Sequence, residues 1–227
     1  MLCPELPDYI ERAHAAHQHV HLMTNGTLLA PELSAFLVGQ EVSRVCISVD
    51  AATPETYEKV RGKNVLDRVE RNIKGLAEAR NKRGSALPII RLSFCVTEDN
   101  QHEQADFRDK WRDIVDYIDF QKVSDLSYVG AEDEANLIIE EEAEQPFCTK
   151  PFGYLNVWSN GDISPCCTFY GKNLVFGNIK DDTLENVYNG NRMNELREQF
   201  RTGENINKIC RVCMACRENL IDASVTG

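Results

Sequence analysis

"FCTKPFGYLNVWSNGDISPCC", residues 147–167, sets one cysteine near the start and a pair at the end of what reads as a short β-hairpin. The Asn160-Gly161 pair between "GYLNVW" and "DISPCC" is a strong turn signal, because both residue types tolerate the positive φ of a tight hairpin turn. Such a hairpin brings Cys148 near Cys166. Further along, "CRVCMAC" supplies Cys210, Cys213 and Cys216 at three-residue intervals. Cys148, Cys166, Cys210 and Cys213 have the spacing C-x17-C-x43-C-x2-C, with Cys167 and Cys216 as spares. Four thiolates from two distant segments enclose either zinc or an iron–sulfur cluster, and spacing alone does not choose between them.

The chain has 227 residues, enough for one large domain or one and a half ordinary ones. No apolar run approaches the roughly 18 residues of a membrane span, and "MLCPELPDYI" has neither the basic start nor the apolar core of a signal peptide. A cytoplasmic protein with no membrane partner is expected. The net charge of −11 argues against nucleic-acid binding, which needs basic surface to displace counterions from phosphates. Nine cysteines are an odd number, and among reduced thiols metal or cluster ligation is favoured over a disulfide framework.

Residues 5–128 alternate helix and strand in the manner of a parallel α/β sheet. "PELPDYIERAHAAHQ", "PELSAFLVG", "PETYEKV", "VLDRVERNIKGLAEARNKRG" and "HEQADFRDKWRDIVDYI" read as helices. "HVHLMTN", "RVCISVD", "PIIRLSFCV" and "DFQKVSDLSY" read as strands. The segment opens on a helix where a parallel sheet normally opens on a strand. Residues 131–145, "AEDEANLIIEEEAEQ", carry seven acids and no base and are expected to be a linker or solvated helix. A second module, 146–221, combines short strands, Gly-rich turns and the helices "DTLENVYNG" and "RMNELREQFRTG". Its apolar content is thin, so a bound cluster would help hold it together.

The stretch from "CTKPFGYLNVWSNGDISPCC" through "FGNIKDDTLENVYNGNRMNELREQF" to "CRVCMAC" resembles the SPASM or twitch-type auxiliary-cluster module of radical S-adenosylmethionine (SAM) enzymes. The resemblance implies an auxiliary [4Fe-4S] cluster held by Cys148, Cys166, Cys210 and Cys213. Cys216 could replace a member of the CxxC pair, and Cys167 could compete with Cys166. "LMTNGTLL" and "ISVDAATPETYEKVRG" in turn resemble the third and fourth strands of the radical SAM partial barrel. The first module, 1–130, is thus expected to be a partial (βα) barrel of about four strands. By the same resemblance Ser48 and Arg61 hold the SAM methionine carboxylate, while Thr24 and Asn25 lie close to the cofactor. A guanidinium pairs a carboxylate bidentately, and a strand-end hydroxyl reaches the same group.

The family binds its catalytic cluster through CxxxCxxC, which is absent here, with Cys3 the only cysteine before Cys46. The expectation is an N-terminally truncated member, inactive alone, whose catalytic residues are unknown. The parent reaction is reductive cleavage of SAM to a 5′-deoxyadenosyl radical, followed by hydrogen abstraction from a peptide, sugar or small-molecule substrate, with a reductant protein as partner. The rival readings are a non-catalytic module stabilised by the cluster, or by zinc. His14, His17, His19 and His21 straddle a helix end and a strand start, and are not read as a metal site. Cys46 and Cys95 sit in apolar strand runs as small core residues, and Trp111 and Trp158 read as packing residues.

Overall fold

The computed structural model describes residues 3–122, 147–167 and 174–207, together with 210, 211, 213 and 214. The chain divides into two units, Met1–Val123 and Ser124–Gly227.

The first unit runs α1 (Leu6–Ala15), β1 (His21–Thr24), α2 (Pro31–Gly39), β2 (Arg44–Ser48), α3 (Pro54–Arg61), α4 (Leu66–Arg83) and β3 (Ile89–Val96). A single 3-10 turn (Gln101–Glu103), α5 (Gln104–Trp111) and β4 (Tyr117–Lys122) complete it. The four strands are parallel and lie in chain order, β1-β2-β3-β4. Side chains along a strand alternate between faces, so register sorts them into two sets. Val45 aligns with Ile90, Ile47 with Leu92, Leu92 with Ile118 and Phe94 with Phe120. This face joins the apolar core with Leu37, Val69, Ile73, Leu76, Phe107 and Trp111 from α2, α4 and α5. On the other face Cys46 aligns with Arg91, Ser48 with Ser93, Ser93 with Asp119, and Cys95 with Gln121. That face is polar, and on it Arg91 pairs with Asp119, whose Oδ2 also accepts from Gln121 Nε2 at 2.5 Å. One sheet face under helices and one left polar is the arrangement expected of a partial barrel.

The helix expected over residues 102–118 stops at Trp111. Asp116 donates its backbone N–H to Ile90 O at 3.0 Å, and its Oδ2 accepts from Ile90 N at 2.7 Å and from the buried Arg80. Those bonds hold the chain beside β3, so Tyr117 and Ile118 enter the strand, whose onset precedes the expected one. The rest of the expected strand, 123–128, and the acidic stretch 131–145 lie outside the described residues.

The second unit contains α6 (Lys150–Gly153), β5 (Asn156–Val157), β6 (Asp162–Ser164), β7 (Gly177–Asn178), α7 (Leu184–Asn189) and α8 (Asn191–Thr202). The three strands form an antiparallel sheet in the order β5-β6-β7. The β5–β6 hairpin is present, but only Gly161 of its turn has positive φ, at 93°. Trp158 N donates to Asp162 O at 2.8 Å and Gly161 N to Trp158 O at 2.8 Å, leaving Ser159, Asn160 and Gly161 as a three-residue connection. Asn160 instead uses its side chain, whose Oδ1 accepts from Asp162 N at 3.1 Å. The helices cap as their sequences suggest: Thr183 begins α7 by accepting from Asn186 N, and Gly203 ends α8 at φ 74°.

Candidate functional site

In the second unit Leu196, Phe200 and Ile206 form a small apolar cluster on which Cys148, Cys210, Phe152 and Phe176 pack. Cys148 precedes α6, and α8 is tied to that short helix by the buried Arg197, whose Nε donates to Pro151 O at 2.8 Å. Cys166 follows β6, while Cys210 and Cys213 lie beyond α8. Burial pushes the Cys210 thiol up to about 12, and the negative charges that Cys166, Cys213 and Cys148 can carry push it the same way. The structure therefore brings the four sequence-predicted cysteines into one electrostatic neighbourhood. Four thiolates so placed repel one another, and a cationic centre removes the conflict. In donor type and apolar backing the set fits a thiolate-ligated group. Among the described residues no group of three or more His, Cys, Asp or Glu side chains is arranged to hold a single metal ion. Cys167 is exposed, its side chain hydrogen-bonded to Tyr154. Cys216 lies outside the described residues.

In the first unit Thr24 and Ser48 stand at the C-terminal ends of the adjacent strands β1 and β2. Thr24 Oγ1 accepts from Gly26 N at 3.1 Å, and Asn25 Oδ1 accepts from Thr27 N at 3.1 Å and Thr27 Oγ1 at 2.7 Å. Both side chains thus brace the turn that Gly26 makes at φ 74°. Arg61, the last residue of α3, is ion-paired with Asp50, two residues beyond Ser48. Asp50 is buried in a left-handed conformation, φ 65°, and its Oδ1 accepts from Cys95 N at 2.7 Å. Asn100 Nδ2 donates to Asp50 O at 2.9 Å and to Cys95 O at 2.8 Å. The Cys95 thiol is pushed up by burial and by the Asp50 carboxylate. Cys46 is buried, on the same sheet face as Arg91, whereas Cys95, also expected to be a core residue, is only half-buried.

Sequence reading did not single out the cap of α3, Thr53, whose Oγ1 accepts from Thr56 N at 3.3 Å. It missed Glu103, which is 3% exposed and binds the β2–α3 loop through Ala52 N (2.6 Å), Thr53 N (3.3 Å) and Thr53 Oγ1 (2.5 Å). Nothing in the charged run "TEDNQHEQ" distinguishes that carboxylate from its solvated neighbours. His19 Nδ1 lies 3.2 Å from Ser43 Oγ.

The chain thus combines a parallel half-barrel with a small cysteine-bearing sheet-and-helix unit. The profile of the radical SAM superfamily matches residues 1–103, and that of SPASM, an iron–sulfur cluster-binding domain, matches residues 148–217. The chain belongs to the radical SAM family that carries a SPASM domain, whose cofactors are SAM and [4Fe-4S] clusters.

Among curated proteins, the mycofactocin maturase MftC of Mycolicibacterium smegmatis is 33% identical over 103 residues, 45% of this chain and 24% of the relative. The same-named protein of Mycobacterium ulcerans is 31% identical over 104 residues, 46% of this chain and 27% of the relative. The chain thus spans about a quarter of the length of these relatives. Among solved structures, Streptococcus suis SuiB bound to precursor peptide SuiA has a TM-score of 0.62 at 13% identity, covering 93% of this chain and 57% of that one. SuiB in a second structure gives 0.57 at 15% identity, covering 86% and 54%. These likenesses establish the fold. No helix among the described residues is long and apolar enough to cross a membrane.

Proposed function

We propose that this chain is the SAM-contacting half-barrel and auxiliary-cluster portion of a peptide-modifying radical SAM maturase. The observation that carries the reading is that Cys148, Cys166, Cys210 and Cys213 all fall within residues 148–217, the segment matched to a cluster-binding family. Cys148, Cys166, Cys210 and Cys213 are the proposed ligands of a [4Fe-4S] cluster, and the Leu196–Phe200–Ile206 wall keeps water from one side of it. A peptide substrate is favoured over a sugar or other small molecule by two relatives, one named a mycofactocin maturase and one crystallised with a precursor peptide.

SAM, when bound, supplies the radical chemistry of the family. This chain's own contribution is positional. Ser48 presents a hydroxyl at the end of β2, and Arg61 presents the guanidinium edge that Asp50 leaves open, two donors suited to a carboxylate. Thr24 and Asn25 shape the neighbouring strand end. Asp50, Asn100 and Glu103 hold the β2–α3 loop against the β3–α5 loop, so that the donors are fixed before the cofactor arrives.

Metal analysis of anaerobically reconstituted protein tests the cluster. About four iron and four sulfide per chain are expected, as for one [4Fe-4S] cluster on four thiolates. Cys148→Ala, Cys166→Ala, Cys210→Ala and Cys213→Ala should each abolish it, whereas Cys46→Ala and Cys95→Ala should leave it intact. One zinc and no iron would overturn the assignment in favour of a zinc-stabilised module.

A further inference from the structure

Two adjacent cysteines follow β6, and they have different surroundings. Cys166 is half-buried, whereas Cys167 is exposed. What separates them begins one turn earlier. The Trp158 indole N–H donates to Ser164 Oγ at 2.9 Å, and the Ser164 hydroxyl donates to the Cys166 carbonyl at 2.9 Å.

The polarity of this relay is forced. An indole nitrogen can only donate, so Ser164 Oγ must accept from it, and the single hydroxyl proton is left for the Cys166 carbonyl. Ser164 is fully buried at 0% exposure, so no water competes for either bond. Buried Pro165, between Ser164 and Cys166, restricts the intervening backbone further. A carbonyl so held narrows the backbone conformations from which the Cys166 side chain leaves, and moving Cys167 into its place would break the relay.

We propose that Trp158 and Ser164 are a positioning pair that selects Cys166, and not Cys167, as the thiolate this turn gives to the cluster. The proposal rests on the cluster reading above and adds to it the residues that decide the ligand.

Alkylation footprinting of the anaerobically reconstituted full chain tests it. Iodoacetamide followed by peptide mass spectrometry should find Cys167 modified and Cys166 protected in the unaltered protein. In Ser164→Ala, and independently in Trp158→Phe, iron should stay near four per chain. The ratio of Cys167 to Cys166 protection should rise about fivefold, the shift that one net hydrogen bond sets. Electron paramagnetic resonance of the reduced cluster should show a second signal from the exchanged ligand. Ser164→Thr, which keeps the hydroxyl, should restore the original footprint. Trp158 is only half-buried, so its variant serves if Ser164→Ala does not fold. Iron-loaded variants that keep the original footprint and spectrum overturn the selecting role alone. An unaltered chain that takes up no iron overturns the cluster reading and the pair together.

Discussion

The Asp50 carboxylate joins two loops of the first unit: one oxygen pairs with Arg61 at the end of α3, and the other accepts the Cys95 amide of β3 at 2.7 Å. Its left-handed backbone, φ 65°, disfavours most side chains but is tolerated by Asp and Asn. Asp50→Asn therefore keeps the backbone and one acceptor and loses only the charge, while Asp50→Ala loses all three. Urea unfolding should show the Ala variant about 3 kcal/mol less stable and the Asn variant roughly half as affected. Equal losses would mean that the ion pair alone carries the effect.

Glu103 sets an acid limit on the same loop. Burial acts to raise its carboxyl, but hydrogen bonds from Thr53, the Ala52 amide and Thr56 outweigh burial and hold it below the ordinary Glu value. A carboxyl depressed in the folded state contributes stability above its unfolded value, about 4.3, and loses it as pH falls through the folded value. Urea midpoints should thus fall on acidification below roughly pH 4.5. Glu103→Gln, which has no proton to gain, should flatten that limb and be less stable than the unaltered chain at neutral pH. A limb of unchanged steepness in the variant would assign acid sensitivity to other groups.

Gly26 and Gly62 separate backbone strain from crowding. Both have positive φ, 74° and 75°, but a Cβ at Gly26 would sit 2.9 Å from Ile47 Cγ2 and 3.2 Å from Val69 Cγ1, whereas at Gly62 it would meet nothing within 4 Å. Ile47 and Val69 are core residues at 0% exposure, so neither can yield cheaply. Gly62→Ala should cost about 1 kcal/mol, the left-handed penalty alone, and Gly26→Ala about 3 kcal/mol, read from thermal or urea unfolding. Similar losses at the two positions would show that the core around Gly26 yields.

The elements that sequence patterns disclosed are those whose signal is local. Pro31 opens α2, Gly62 ends α3, and the alternation of "IIRLSF" forecasts β3 with Ile90, Leu92 and Phe94 on its buried side. What stayed hidden depends on distant partners. The end of α5 depends on Asp116 meeting Arg80 and Ile90, and the role of Glu103 depends on a loop some fifty residues earlier. The cluster-binding module was legible because a thiol set at metal-ligand spacing is rare enough to be read without its surroundings. The bonding between Trp158 and Ser164 had no such mark, since each residue is an ordinary occupant of a hairpin.

Cys210 supplies a pH test that distinguishes the cluster-free from the cluster-loaded chain. Its thiol is raised from an ordinary value of 9.0 to about 12 by burial and by its three cysteine neighbours. A group raised in the folded state contributes stability that is whole below the unfolded value, because the unfolded chain then gains nothing by deprotonating. As pH climbs from about 9 to 12 the unfolded thiol ionises while the buried one cannot, and the contribution is lost. With Cys210 as a ligand, as proposed, the cluster-loaded chain holds the same sulfur as a thiolate at every pH where the cluster persists, so this loss has no counterpart. Cluster-free protein should therefore melt at progressively lower temperature between pH 9 and pH 11, and the loaded protein should change far less over that range. Cys210→Ala, cluster-free, should lose most of the alkaline slope. If it keeps the full slope, ionisation of Cys210 is not what loosens the unit.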